Sequence, residues 1–260
     1  MPEGDTVFRT AHRLDAALAG HTVTTFDVRV PRAATVDLTG ATVHEVVARG
    51  KHLLLRIGTN TLHSHLRMEG AWLLYPPGQR YRHADHRVRA VVGTAASVAV
   101  GVDLAMVEVT PTKNEAALIG HLGPDPLASD WDAPQAVARV QSDPRAIHVA
   151  LLDQRNVAGF GNEYGSELLF LRGIMPTTPT SDVDVAALIT LGARTLQANR
   201  YRVRRTFTGD TRRGRTHWVY GRAGRPCLRC GTLIERGNIG ARADQQRIVF
   251  WCPHCQKAPL

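Results

Sequence analysis

Four cysteines fall inside the last 34 residues, as Cys227-Leu-Arg-Cys230 and Cys252-Pro-His-Cys255. Two C-x-x-C knuckles flanking a short segment offer four thiolates, the donor set and spacing of one tetrahedral zinc ion. A thiol–disulfide redox pair shares the spacing, but it needs a helix after its first cysteine, and only five residues follow Cys255. Two structural disulfides would suit a secreted chain, yet no apolar leader is visible at the start. The spacing therefore predicts a four-cysteine site for one structural Zn2+, with His254 left over. Gly237, Asn238 and Gly240 suit a hairpin between the knuckles, and Arg229, Arg236, Arg242 and Arg247 give that hairpin a basic surface.

Charge supports a polyanion-binding role for this end. From Arg200 onward there are 14 Lys/Arg against 3 Asp/Glu, whereas the first 199 residues carry 18 against 20. The whole excess of the +9 net charge thus sits at the C-terminal end, as on a nucleic-acid-binding surface. A solvated basic face is the plainer alternative. Two further groups bear on chemistry. Asn156-Val-Ala-Gly-Phe-Gly-Asn162 puts Gly159 and Gly161 in front of a helix whose N-terminus, with Asn162, could take a phosphate. At the other end, Pro2-Glu3 follows a methionine that is normally removed before a small residue. An exposed N-terminal proline is a secondary amine able to attack an aldehyde, and an α-amino group has a reference pKa of about 7.7–8.0 against about 10.4 for lysine. Glu3 lies within reach as proton donor or acceptor.

The elements that must position these groups follow from periodicity. Asp5-Thr6 can cap a helix from about Val7 to Ala19, with Val7, Ala11, Leu14 and Leu18 at helical spacing and Gly20 as the stop. Short β-rich runs follow at 22–30, 42–47, 52–57, 71–75, 87–92 and 97–100, spaced as in an antiparallel sandwich. Leu122-Gly-Pro-Asp-Pro-Leu127 reads as a linker. Ser142-Asp143-Pro144 opens a helix to about Gln154, a second runs from about Glu163 to Leu171, and a third follows Thr180-Ser181-Asp182 through Leu188, Leu191 and Leu196. The expected fold is α+β and multidomain: an antiparallel β-sandwich with an N-terminal helix over 1–121, a helical domain over 128–216 and a four-cysteine zinc-finger hairpin over 217–260. No run of 18 apolar residues exists, so no membrane span is expected, and the cysteine usage suggests a reducing cytoplasm.

The residues also resemble a known family. Met1-Pro-Glu-Gly-Asp-Thr-Val7, Arg49-Gly-Lys-His52, Leu151-Leu-Asp-Gln154 through Gly159-Phe-Gly-Asn162, Val219-Tyr-Gly-Arg222 and Trp251-Cys-Pro-His-Cys-Gln256 occur in the order of the formamidopyrimidine-DNA glycosylase/endonuclease VIII family, and the endonuclease VIII branch is the most similar. The resemblance implies a bifunctional DNA glycosylase/AP lyase of base excision repair, acting on double-stranded DNA with an oxidised base or abasic site. It implies Pro2 as the Schiff-base nucleophile on C1′, Glu3 as the acid assisting base loss, Lys51 in β-elimination and phosphate contact, and Arg247 in gripping phosphate and δ-elimination, with Arg242 as the alternative register. It further implies Asn162 as a phosphate ligand, helix-two-turns-helix geometry, and a monomer in a bacterial cytoplasm near the nucleoid. Such an enzyme must flip its nucleotide out. Ser64–Gly70 lies where the family has its intercalating loop, so Met68 is the wedge candidate, with Arg67 beside it, although Met68 reads equally well as core.

Two features depart from the family pattern. Gly101–Glu108 has neither the Arg nor the Phe of the formamidopyrimidine branch, which favours oxidised pyrimidines over 8-oxoguanine. The Cys230–Cys252 gap exceeds the usual spacing. An 8-oxoguanine-type glycosylase, a lyase acting mainly on abasic sites, and a non-catalytic damaged-DNA binder are the competing readings. His63 and His65 invite a metal reading as well, but a His-x-His strand with no carboxylate nearby is more often structural.

Overall fold

The computed structural model describes residues 2–240 and 246–257. The chain divides into two compact units, Met1–His121 and Leu122–Leu260. Arg242, the alternative finger arginine, lies outside the described residues.

The first unit opens with α1 (Gly4–Leu18), which buries Val7, Ala11, Leu14 and Leu18 on one face. The helix starts at Gly4, three residues before the expected Val7. Glu3 is the N-cap, and the Asp5 carboxylate instead accepts from the Thr6 amide next to it. Gly20 supplies the expected stop, with φ +79°. Two antiparallel sheets follow. One orders β1 (Val23–Val28), β6 (Val88–Thr94), β7 (Val98–Val102) and β5 (Ala71–Tyr75); the other orders β2 (Val43–Arg49), β3 (His52–Ile57), β4 (Asn60–His65) and β8 (Met106–Pro111). Leu53, Leu55, Ile57 and Leu62 of the second sheet share a core with Trp72, Ala90, Val92 and Ala99 of the first and with the buried face of α1. This is the anticipated sandwich. β4 and β8 are additions to the expected set: Asn60–His65 has a wholly polar side in Thr61, His63 and His65, and Met106–Pro111 offers only Val107 and Val109 in alternation before a proline.

The reason lies in the second sheet's other face. Arg56 there reaches Glu45 and Glu115, and Glu115 also accepts from the buried Thr61 hydroxyl at 2.9 Å. Those pairings hold the Arg56 guanidinium well above its ordinary range. The residues just before the short helix α2 (Ala116–Ile119) therefore pack a polar layer against the sheet.

In the second unit, α3 (Ala133–Gln141) is a helix that the sequence reading lacks, although Asp132 caps it by accepting from the Gln135 amide at 2.8 Å and Ala136 and Val140 are buried one turn apart. α4 spans Ile147–Leu152, shorter than expected, because Asp143 pairs with Arg145 instead of capping a helix at 144. α5 (Asn162–Arg172) ends on Gly173 at φ +69°, and α6 (Val185–Asn199) is capped by Asp184. Ile147, Leu151, Phe160, Tyr164, Leu168, Leu188 and Leu196 form the core. β9 (Glu235–Ile239) and β10 (Arg247–Trp251) make the terminal ribbon. Gly237 and Asn238, expected in the turn, sit within β9. A Cβ on Gly237 would stand 3.0 Å from the Trp251 ring.

The stretch read as a linker is no linker. Leu122–Pro126 is buried, Gly123 donates to the Gln154 carbonyl at 2.8 Å, and Ala158 donates to Pro124 at 2.9 Å. A Cβ at Gly123 would lie 2.6 Å from the Arg155 and Asn156 carbonyl oxygens, which are backbone and cannot move aside cheaply. Gly123→Ala is expected to cost about 1–3 kcal/mol, the usual range for overpacking, in urea unfolding. An unchanged midpoint would contradict this packing.

Candidate active site and metal centre

Within the first unit, helix and strand geometry places the leading residues. The Gly20 amide donates to the Val43 carbonyl at 2.8 Å, and the Asp15 carboxylate accepts from the Val46 amide at 2.7 Å. α1 and β2 therefore run antiparallel side by side. Fifteen helical residues span roughly 22 Å and seven strand residues roughly 23 Å. The start of α1 accordingly lies at the end of β2, where Arg49 and His52 pair across the two-residue turn Gly50-Lys51. His52 in turn pairs with His65, which brings the turn after β4 to the same end. Pro2, Glu3, Lys51, Arg67 and Met68 are thus gathered at one edge of the sandwich by register alone.

Each has a defined setting. Glu3 is fully buried, and its carbonyl receives the Thr6 and Val7 amides at 2.9 and 3.0 Å. A carboxylate at a helix N-terminus is favoured by the helix dipole. Gly50 takes φ +57°, as a tight hairpin turn requires. Arg67 adopts φ +49°, rare for a side-chain-bearing residue, and its amide donates to His65 Nδ1 at 3.0 Å. Gly70 closes that turn on the Leu66 carbonyl at 2.9 Å. Met68 is 66% exposed, so the core reading of this residue is wrong. The Gly101–Glu108 stretch runs from the end of β7 through a three-residue connection, 103–105, into β8, with Leu104 buried and Asp103 paired to Arg87.

Sequence reasoning missed a chain of imidazoles beside Lys51. His63 Nδ1 lies 2.7 Å from Glu108 Oε1, its cross-strand partner on β8, and His63 Nε2 lies 2.8 Å from His52 Nδ1. The expectation that no carboxylate stands near His63 is therefore corrected: the separation of 45 residues hid the pair. Burial first, then His63, His65, His121 and Lys51, depresses His52 to about 3. Burial, followed by Lys51, Arg67 and His63, depresses His65 to about 4.

In the second unit, the two turns between α4 and α5 are stapled by Gln154, whose amide donates to the Leu152 and Phe160 carbonyls at 2.9 and 2.8 Å and accepts from Gly159 at 3.0 Å. Gly159 takes φ +95°, whereas Gly161 is extended. Asn162 opens α5, and its Nδ2 donates to the Ile248 carbonyl on β10 at 2.7 Å, next to the exposed Arg247. One turn on, the buried Glu167 accepts the Trp218, Val219 and Tyr220 amides at 2.8, 2.9 and 2.8 Å. Desolvation nonetheless raises its pKa. Glu163 binds His217 at 2.7 Å and Arg205 at 3.0 Å. Much of the basic excess is therefore structural: Arg222 is buried on the Gly214 and Pro226 carbonyls, and Arg229 stacks over Phe170 at 4.4 Å.

The Sγ atoms of Cys227, Cys230, Cys252 and Cys255 all lie within 4.8 Å of one another, and all four thiols are free. Thiolates about 2.3 Å from a tetrahedral ion would stand roughly 3.8 Å apart, so the set fits a metal without rearrangement. The Arg229 amide donates to the Cys227 sulfur at 3.4 Å, the support a bound thiolate wants.

Comparison with known proteins agrees with this architecture. Residues 1–105 match the formamidopyrimidine-DNA glycosylase N-terminal domain and residues 122–198 the formamidopyrimidine-DNA glycosylase H2TH domain. The chain belongs to the formamidopyrimidine-DNA glycosylase/endonuclease 8 family. Within it, the chain is 50% identical to the probable endonuclease 8 2 of Streptomyces coelicolor, over 100% of this chain and 95% of that one. It is also 50% identical to the DNA-(apurinic or apyrimidinic site) lyase Nei2 of Mycolicibacterium smegmatis, over 99% and 100%. The Lactococcus lactis Fpg in complex with an abasic site containing DNA superposes with a TM-score of 0.79 at 25% identity, covering 98% of this chain and 100% of that one.

The depressed histidines make stability pH-dependent. His52, His65 and the buried His148, held at about 4 by desolvation, all titrate below their ordinary 6.5. Between those values the unfolded chain binds more protons than the folded one, so stability is fully present above pH 6.5 and falls as the pH drops toward 4. Urea midpoints measured from about pH 7 to 4 should decline steadily through that window; a flat series would contradict the burial of these rings.

Proposed function

We propose that this protein is a bifunctional DNA glycosylase and AP lyase of base excision repair, acting on double-stranded DNA that carries an oxidised base or an abasic site. The reading is supported by full-length identity to endonuclease 8 and AP-lyase relatives and by the likeness to a DNA-bound Fpg. The observation that carries the chemistry is the fully buried Glu3 directly behind Pro2, at the sandwich edge shared with Lys51.

In this reading the Pro2 nitrogen attacks C1′ of the flipped nucleotide and the base leaves as its C1′–N bond breaks; the C1′–O4′ bond then opens with a proton passed from Glu3 to O4′, leaving an iminium (protonated imine) between Pro2 and the opened sugar. The imine acidifies the C2′ hydrogens, so the 3′ phosphate departs by β-elimination, with Lys51 contacting phosphate. Asn162 and Arg247 grip the backbone from the second unit, and Arg247 supports δ-elimination. Met68 and Arg67 occupy the space that the flipped nucleotide leaves. The absence of an Arg and a Phe between Gly101 and Glu108 favours oxidised pyrimidines. Cys227, Cys230, Cys252 and Cys255 hold one structural Zn2+, which ties the finger ribbon together. The functional division is then a catalytic domain over 1–121, a helix-two-turns-helix domain that takes in the packed stretch 122–127 ahead of 128–216, and a zinc finger over 217–260. We place the protein in a bacterial cytoplasm, working as a monomer on the nucleoid. Among the described residues, no helix is long and apolar enough to cross a membrane.

Borohydride reduction on a duplex with an abasic site should trap the wild-type protein covalently, and Pro2→Gly should trap at least about tenfold less, as loss of a nucleophile requires. Equal trapping by the two would refute the assignment. Chelating the metal should abolish duplex binding while far-UV signals of the sandwich persist, because the four thiolates repel once uncovered. Unchanged affinity after chelation would count against the finger's role.

A further inference from the structure

The polar face of the β2-β3-β4-β8 sheet holds two kinds of layer. Arg56 with Glu45 and Glu115 is a closed ionic lock. The Glu108–His63–His52 chain is different in kind: it is directional and runs from the far strand to the lysine turn. His63 sits 1% exposed on the inner strand β4, across from Glu108, and its ring stacks on His52 at 5.0 Å and 19°. An ionised carboxylate only accepts, so His63 carries its proton on Nδ1. With one proton on that ring, its Nε2 is the acceptor and His52 Nδ1–H the donor. His52 is then left with a lone pair on Nε2, one residue from Lys51.

The rings around it do not compete for that role. His65 spends its Nδ1 on the Arg67 amide, and it meets His52 edge-on at 5.2 Å; His121 does so at 6.1 Å. Both His63 nitrogens are engaged, so the group is not preorganised for a metal, in contrast to the four cysteines. Lys51 lies close enough to disfavour protonation of both His52 and His65. Stability alone does not require such a chain, since a buried polar pair replaced on both sides by apolar groups is often neutral.

We propose that His52, held through His63 by Glu108, is a positioning residue for Lys51, keeping a hydrogen-bond acceptor rather than a cation beside the lysine turn. This rests on the reading of Lys51 as part of the lyase site. The chain sets the imidazole tautomers and so the orientation in which Lys51 meets the sugar–phosphate. Glu108→Ala and His52→Phe remove the acceptor at either end. Glu108→Gln retains an acceptor for His63 Nδ1–H.

The test is single-turnover strand scission on a duplex with a preformed abasic site. Glu108→Ala and His52→Phe should each slow it by about tenfold to a hundredfold, with KM within about twofold, as misplacement of a catalytic group does. Glu108→Gln should recover most of the rate. Lys51→Ala combined with Glu108→Ala should be no slower than Lys51→Ala alone; losses that multiply would overturn the proposal. The double variant His63→Leu/Glu108→Leu should melt close to wild type yet scission should remain slow; the reverse pattern would make the chain structural only. A readout independent of DNA separates this from the lyase reading. In 15N spectra of the free protein, His52 and His63 should be Nδ1–H tautomers, and the Lys51 Nζ titration midpoint should fall in Glu108→Ala. An unmoved midpoint overturns the proposal whether or not the protein cuts DNA.

Discussion

The placement of Pro2 and Glu3 depends on anchoring the first helix, whose N-cap is Glu3. Here α1 is locked along β2 by four buried apolar side chains, by the Gly20–Val43 bond at its end and by Asp15 on the Val46 amide. The match between fifteen helical residues and seven strand residues then delivers Pro2 and Glu3 to the edge where Lys51 turns. Register carries the placement further. His52 opposite His65 brings the Arg67–Met68 turn to that edge, and the His63–Glu108 pair ties β8 to the same corner.

The second unit solves a comparable problem with carboxylates and amides. Glu167 gathers three successive backbone N–H groups of the segment leading into the finger, and Asn162 ties the opening of α5 to β10. Removing either partner would leave buried groups without hydrogen bonds, which costs more than the bonds themselves contribute. Cys227 and Cys252 pack in one buried cluster with Phe170 of α5, so the cysteine knuckles and the ribbon's anchorage to α5 share a core. Arg229 over Phe170 adds an aromatic clasp.

What the sequence disclosed follows the range of the interactions. The cysteine knuckles, the α1 stripe, most sandwich strands and the glycine turn before α5 are local patterns, and they were legible. Helix starts shift where a capping residue finds a stronger partner, as Asp143 does in Arg145. β4 was hidden because Thr61 and His63 on its second face are polar yet buried, and β8 because its Val107–Val109 alternation is too short before Pro111 to mark a strand. The segment 122–127 has linker composition but is held by backbone bonds from Gly123 to Gln154 and from Ala158 to Pro124 that no local pattern shows. Met68 could not be placed by composition, since an exposed methionine and a core methionine look alike in sequence. The imidazole chain needed residues 52, 63 and 108 to be paired before it existed at all.

If the chemistry is as proposed, the imine forms on the leading nitrogen of the chain and on no side chain. Proteolytic mapping of the borohydride-reduced complex by mass spectrometry addresses this directly. The sugar remnant should reside on a peptide beginning with Pro2, with its mass on the proline nitrogen. A remnant found on Lys51, or on a peptide still carrying Met1, would contradict it.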